Sequence, residues 1–219
     1  MMERKIDGLE TVELYARYGA LIARRVAGRL IDGFRATFTI DATARHALFR
    51  EHGIALTKKG RYGAAAAVLE PLHRSRPDDG DVMLHLGLCC LKTGRPEEGF
   101  ALLERVQALR GDVRSATVLG IAYCQAGRDA QAIPLLRRVA DAMPDHFTVR
   151  YRLGVAYDNT GQHDKAVECL QEALELRPDD ARVHRAIGFA YEQKGAHETA
   201  VGYFRRASEL EDSHAGAGD

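Results

Sequence analysis

Glycine returns at positions 19, 53, 87, 120, 154 and 188, at intervals of 34, 34, 33, 34 and 34 residues. A period of this length constrains the fold more than any other feature of the chain. A unit of that size holds two short helices, cannot bury its own apolar face, and becomes stable by stacking on further units. Four of these glycines sit in Leu86-Gly87, Leu119-Gly120-x-x-Tyr123, Leu153-Gly154-x-x-Tyr157 and Ile187-Gly188-x-x-Tyr191. Later in each unit a small residue precedes a large one by four positions: Ala65/Leu69, Gly99/Leu103, Ala132/Leu136, Ala166/Leu170 and Ala200/Phe204. The small residue is expected to lie against the first glycine, so that the two helices cross closely. A second glycine, at 60, 94, 127, 161 and 195, falls where the first helix must end, and glycine tolerates the left-handed conformation such an end requires. Pro77, Pro144 and Pro178 close three of the units.

This arrangement resembles the tetratricopeptide repeat (TPR) and implies an all-α, right-handed superhelix, an α-solenoid of antiparallel helix pairs. Five full repeats are expected at 46–79, 80–112, 113–146, 147–180 and 181–214. Numbered backwards in the same frame, residues 12–45 form a degenerate unit. Tyr15, Tyr18, Gly19 and Ile22 take the first-helix positions, while Val26, Ile31 and Arg35 replace the turn glycine, the small residue and the large one. Residues 1–11 read as a leader and 212–219 as a small, polar, disordered tail.

Such an array binds rather than catalyses. The formal net charge of +0 argues against a nucleic-acid module, no apolar run approaches the length of a membrane span, and the start lacks an apolar signal segment. Four cysteines without CxxC spacing suit buried thiols in a reducing compartment, so the cytoplasm is the default location. No phosphate-loop, zinc-protease, nucleophile-elbow or dinucleotide motif is present. His85 and Cys89 share a helix face, but two ligands make a poor metal site. The expectation is therefore no enzyme, no metal and no cofactor.

In a TPR array the first helix of each pair lines the groove. The positions that do so are Arg50 and Ile54; Leu84, Leu88 and Leu91; Thr117 and Ile121; Tyr151 and Val155, beside Asp158 and Asn159; Arg185 and Phe189, beside Glu192 and Gln193. The middle of this surface is apolar where a solvated face would be charged. It reads either as a seat for the apolar stripe of a partner helix or, at Leu84, Leu88 and Leu91, as packing between units. The Lys/Asn set that clamps a terminal carboxylate is missing. The chain also carries an apolar stripe of its own, Leu14, Tyr18, Ile22, Val26, Leu30, Phe34 and Phe38, recurring every four residues among several arginines. That stripe has three open readings: packing on its own core, docking in a neighbour's groove to give self-assembly, or lying on an anionic membrane. At the far end, Val201 and Leu210 are expected to pack on the last unit, with Tyr203 uncovered.

The segments LYARYG (14–19), DGFRATF (32–38), FREHGI (49–54), KKGRYGAA (58–65), SATVLGIAY (115–123), VRYRLGVAYDN (149–159) and VHRAIGFAYEQ (183–193) carry a more particular likeness. Over about residues 11–210 the chain resembles the MamA family of magnetosome-associated proteins of magnetotactic bacteria. It departs at Cys89-Cys90, where an aromatic is typical. The resemblance implies a protein on the cytoplasmic side of the magnetosome membrane, peripheral to it, that self-assembles and serves as a scaffold for other magnetosome proteins. A monomeric TPR peptide receptor or assembly chaperone is the alternative.

Overall fold

The computed structural model describes residues 42–216, with side chains over 43–213. Among the described residues there are ten α-helices and no strand: α1 (Ala42–Lys58), α2 (Tyr62–Ser75), α3 (Gly80–Lys92), α4 (Pro96–Arg110), α5 (Val113–Gln125), α6 (Asp129–Ala142), α7 (Phe147–Asn159), α8 (His163–Leu176), α9 (Ala181–Gln193) and α10 (His197–Gly216). The described residues from Phe49 onward form one compact unit. Within it α3 packs on α4, α5 on α6, α7 on α8 and α9 on α10, and each pair packs on the next. The fold is an all-α TPR solenoid.

Local chemistry sets the helix ends. Asp79, Asp112 and Asp180 cap α3, α5 and α9, each carboxylate accepting from backbone N–H groups of the first turn. Gly60, Gly94, Gly127, Gly161 and Gly195 follow the first helix of each pair with φ between 69° and 81°, a region that costs an L-residue about 1–2 kcal/mol. Pro71 and Pro134 stand inside α2 and α6, both on exposed faces. The carbonyls of Ala67 and Ala130, which lose their i+4 donors to these prolines, belong to exposed residues too.

The helices cross closely and the small residue lies against the first glycine at Gly87 with Gly99 and at Gly154 with Ala166, but a second residue comes closer still. The large residue, not the small one, is the nearest neighbour of the first glycine. A Cβ added to Gly154 would lie 2.6 Å from Leu170 Cγ, and one added to Gly120 would lie 2.7 Å from Leu136 Cδ2. Leu69, Leu103 and Phe204 stand against Gly53, Gly87 and Gly188 in the same way. The small residue contributes through its backbone: the Ala166 carbonyl would be 3.3 Å from a Cβ on Gly154. The leucine therefore fills the space a side chain on the first helix would take. It is wholly buried there, at 0% exposure for Leu69, Leu136 and Leu170, and each such burial stabilises by about 1.5–3 kcal/mol.

Three expectations about the end of the chain change. The last helix continues to Gly216, so residues 212–216, read from composition as disordered tail, are helical; Ser213 Oγ donates to the Leu210 carbonyl within it. Val201 does not pack on its own unit but is 63% exposed, while Leu210 is buried. Tyr203 is not left uncovered: its ring stacks on Tyr191 at 5.7 Å and lies 6.0 Å from His184.

Candidate partner-binding groove

The first helices of successive pairs lie side by side, and their shared surface deepens between α7 and α9. A cavity of about 410 Å³ opens there, lined by Tyr151, Val155, Asp158 and Asn159 of α7, Leu170 of α8, and Arg182, Arg185, Ala186, Phe189 and Gln193 of α9. Helical spacing explains the lining. Tyr151, Val155 and Asn159 are four apart, as are Arg185, Phe189 and Gln193, so each set forms one ridge along its helix.

The floor is apolar and the rim is polar but largely self-satisfied. Phe189 is 51% exposed, an uncommon state for a phenylalanine, and it is held edge-on to Phe204 with centroids 5.1 Å apart. Arg182 donates to both oxygens of Asp180, from Nε at 3.0 Å and Nη2 at 2.7 Å, and its guanidinium carbon lies 5.8 Å from the Tyr151 ring centre. That fork holds the Asp180 carboxyl below the usual carboxylate range. Arg185 is ion-paired with Glu211 of α10. Asp158 accepts from His163 Nδ1 at 2.7 Å, and Asn159 Nδ2 donates to Asp129 Oδ2 at 2.9 Å. The groove thus offers exposed aromatic and aliphatic surface for burial, with two arginines whose carboxylate partners a ligand carboxylate can replace.

Seven of the groove residues expected from sequence, Tyr151, Val155, Asp158, Asn159, Arg185, Phe189 and Gln193, meet in this cavity. The others do not. Leu84 is 2% exposed and belongs to the core cluster, which corrects its placement on the groove. Leu91 turns toward α4, where its Cγ would be 2.8 Å from a Cβ on Gly99, so it fills the seam within its own pair. Ile54, Leu88 and Ile121 are partly buried on α1, α3 and α5. Thr117 donates its hydroxyl to the Val113 carbonyl at 2.7 Å. Arg50 lies in a second, charged recess with Asp79, at 3.7 Å, and with Asp81 and Arg110; there Arg110 holds the Asp81 carboxyl below its ordinary range. The stripe residues Leu14, Tyr18, Ile22, Val26, Leu30 and Phe34 lie outside the described residues. Sequence reading missed Arg182 and Ala186, although each is one helical turn before a residue it did name. It also missed Leu170, whose contribution comes from the second helix.

No three His, Cys, Asp or Glu side chains gather as metal ligands among the described residues. Burial holds the His85 imidazole toward its neutral form, with Arg114 adding to the effect, and burial pushes the thiols of Cys90 and Cys169 up to about 11 and that of Cys124 up to about 12. No described helix is long and apolar enough to cross a membrane.

Paired helices in a 34-residue period, left-handed turn glycines and a groove between first helices define a TPR array, a class of helical solenoid for protein interaction. Models of the tetratricopeptide repeat match residues 50–113 and 123–188. The chain belongs to the MamA family within that class. It is 44% identical over 87 residues to "Magnetosome protein MamA" of Paramagnetospirillum magneticum and 41% identical over 87 residues to that of Magnetospirillum gryphiswaldense. These sequence matches span 40% of this chain and 40% of each curated relative. A solved structure of "MamA MSR-1 C2" superimposes with a TM-score of 0.74 at 44% identity, over 78% of this chain and 98% of that one.

Proposed function

We propose that this chain is a non-enzymatic interaction scaffold that self-assembles on the cytoplasmic face of the magnetosome membrane and recruits other magnetosome proteins there, in support of magnetosome formation. The observation that carries this reading is the groove between α7 and α9. It keeps Phe189 half in water and Tyr151 and Val155 beside it, a surface whose burial by a partner helix is favourable by about 25 cal/mol per Å² before the costs of association. The sequence likeness to magnetosome proteins supports a magnetosome location. Self-assembly runs through the N-terminal stripe of residues 14–38, whose four-residue apolar spacing suits a helix lying in a neighbour's groove. Residues 12–45 act as a degenerate unit for that contact, ahead of the five repeats from 46 onward.

Co-sedimentation of the purified full-length protein with isolated magnetosomes tests this. Val155→Glu places a charge in the groove, so magnetosome binding should fall at least tenfold with helix content unchanged. Tyr18→Asp should dissolve the self-assembly. A Val155→Glu protein that sediments like the wild type would overturn the groove as the recruiting surface.

A further inference from the structure

The cavity between α7 and α9 is uneven in charge, and the charge bears on what kind of helix it receives. Three charged side chains line it: Arg182, Arg185 and Asp158. Asp158 is 17% exposed and is hydrogen-bonded to His163 Nδ1 at 2.7 Å. The two arginines are 62% and 44% exposed. Their carboxylate partners, Asp180 and Glu211, are not part of the lining, so each pair presents its guanidinium to the cavity and not its carboxylate.

Both guanidiniums have capacity left. A guanidinium carries five N–H donors. Arg182 directs two of them to Asp180, from Nε and Nη2, and that fork holds the side chain beside the Tyr151 ring with three donors left over. Arg185 pairs with Glu211, which is 49% exposed, so that carboxylate returns to water at little cost when another takes its place. The two arginines are three residues apart on α9, one turn along a single face, and Phe189 follows on the next turn. The cavity therefore sets two cations one turn apart beside an exposed aromatic ring.

We infer that this part of the groove takes an acidic amphipathic helix of a partner protein, with an apolar face that covers Tyr151, Val155 and Phe189 and carboxylates one turn apart along its flank that meet Arg182 and Arg185. The inference rests on the groove as the recruiting surface and adds the chemistry of what is recruited. Charge disfavours the chain's own apolar stripe here. Residues 14–38 carry Arg17, Arg24, Arg25, Arg29 and Arg35 against the single acid Asp32, and would set arginine against arginine. The section between α7 and α9 is kept for a different protein.

Fluorescence anisotropy with the full-length chain and three short capped peptides tests this. The peptides share one leucine–alanine helical face and differ only in the residues flanking it, which are glutamate, glutamine or lysine. The Glu peptide should bind about tenfold more tightly than the Gln peptide, at about threefold for each exposed ion pair, and the Lys peptide more weakly than either. Added salt should narrow that gap. Arg185→Gln should weaken the Glu peptide about threefold and leave the Gln peptide unchanged. Phe189→Ala, with helix content unchanged, should weaken both alike by about tenfold, which locates them in the groove. An unlabelled peptide of residues 14–38 should displace the Glu peptide poorly. Equal affinity for the Glu and Gln peptides, or equal weakening of both by Arg185→Gln, would overturn the acidic partner, while sensitivity to Phe189→Ala would leave the groove standing as a binding surface. A Glu peptide that does not bind, or that binds regardless of Phe189→Ala, would also overturn the inference, and the magnetosome co-sedimentation of Val155→Glu would still decide the groove reading. Displacement by residues 14–38 as strong as by the unlabelled Glu peptide would make the chain's own segment the occupant and overturn it as well.

Discussion

Replacing Gly154 with alanine tests whether the helix crossing is set by the leucine that fills the glycine's space. The new Cβ would stand 2.6 Å from Leu170 Cγ, 2.9 Å from Leu170 Cδ2 and 3.3 Å from the Ala166 carbonyl oxygen. Leu170 is fully buried, so relieving the overlap means shifting a core side chain toward the cavity it borders, and the carbonyl belongs to a helix that cannot move alone. Overpacking of this kind costs about 1–3 kcal/mol. Alanine recovers about 1 kcal/mol of helix propensity over glycine, so the net loss is about 0–2 kcal/mol. At about 2–4 °C per kcal/mol for a chain of this size, the melting temperature should fall by up to about 8 °C. Gly202→Ala in α10 is the matched control, because nothing lies within 4 Å of its Cβ position and only the propensity gain of up to about 1 kcal/mol remains. Circular dichroism at 222 nm through a thermal ramp, with urea midpoints beside it, compares the two. A Gly154→Ala protein as stable as Gly202→Ala would refute the reasoning.

Leu84→Ala should cost about 2–4 kcal/mol because Leu84 is core, whereas Val155→Ala on the groove should cost about 1 kcal/mol or less; urea unfolding separates them. Cys90, Cys124 and Cys169 should resist iodoacetamide at pH 8 in the folded protein and react within minutes in denaturant, as followed by mass spectrometry, because burial raises all three thiols. Stability should decline as pH falls below about 6.5: the folded His85 binds a proton less readily than the unfolded one, so protonation favours unfolding, and the slope of melting temperature against pH should be shallower in His85→Gln.

Periodicity alone settled much of this protein. The glycines at 60, 94, 127, 161 and 195 had to end helices because the chain must reverse within a 34-residue unit, and each adopts the left-handed φ that reversal needs. Leu69, Leu103, Leu136 and Leu170 were legible as core because the same residue type recurs at one azimuth of one helix. The groove was legible by azimuth also, and Tyr151, Val155, Arg185 and Phe189 meet where spacing put them. What a sequence position cannot carry is how closely its neighbours approach. Leu84 and Val155 occupy the same side of their helices in the repeat frame, yet Leu84 is buried in the core cluster while Val155 borders the open cavity. The contact of the first glycine with the large residue depends on the crossing geometry of two helices, which the four-residue spacing alone left undetermined. Val167 and Val201 are the same residue at the same place in the repeat, one buried and one in water. Only the tertiary structure separates them, because burial belongs to the surface that arrives from the next unit and not to the residue that receives it.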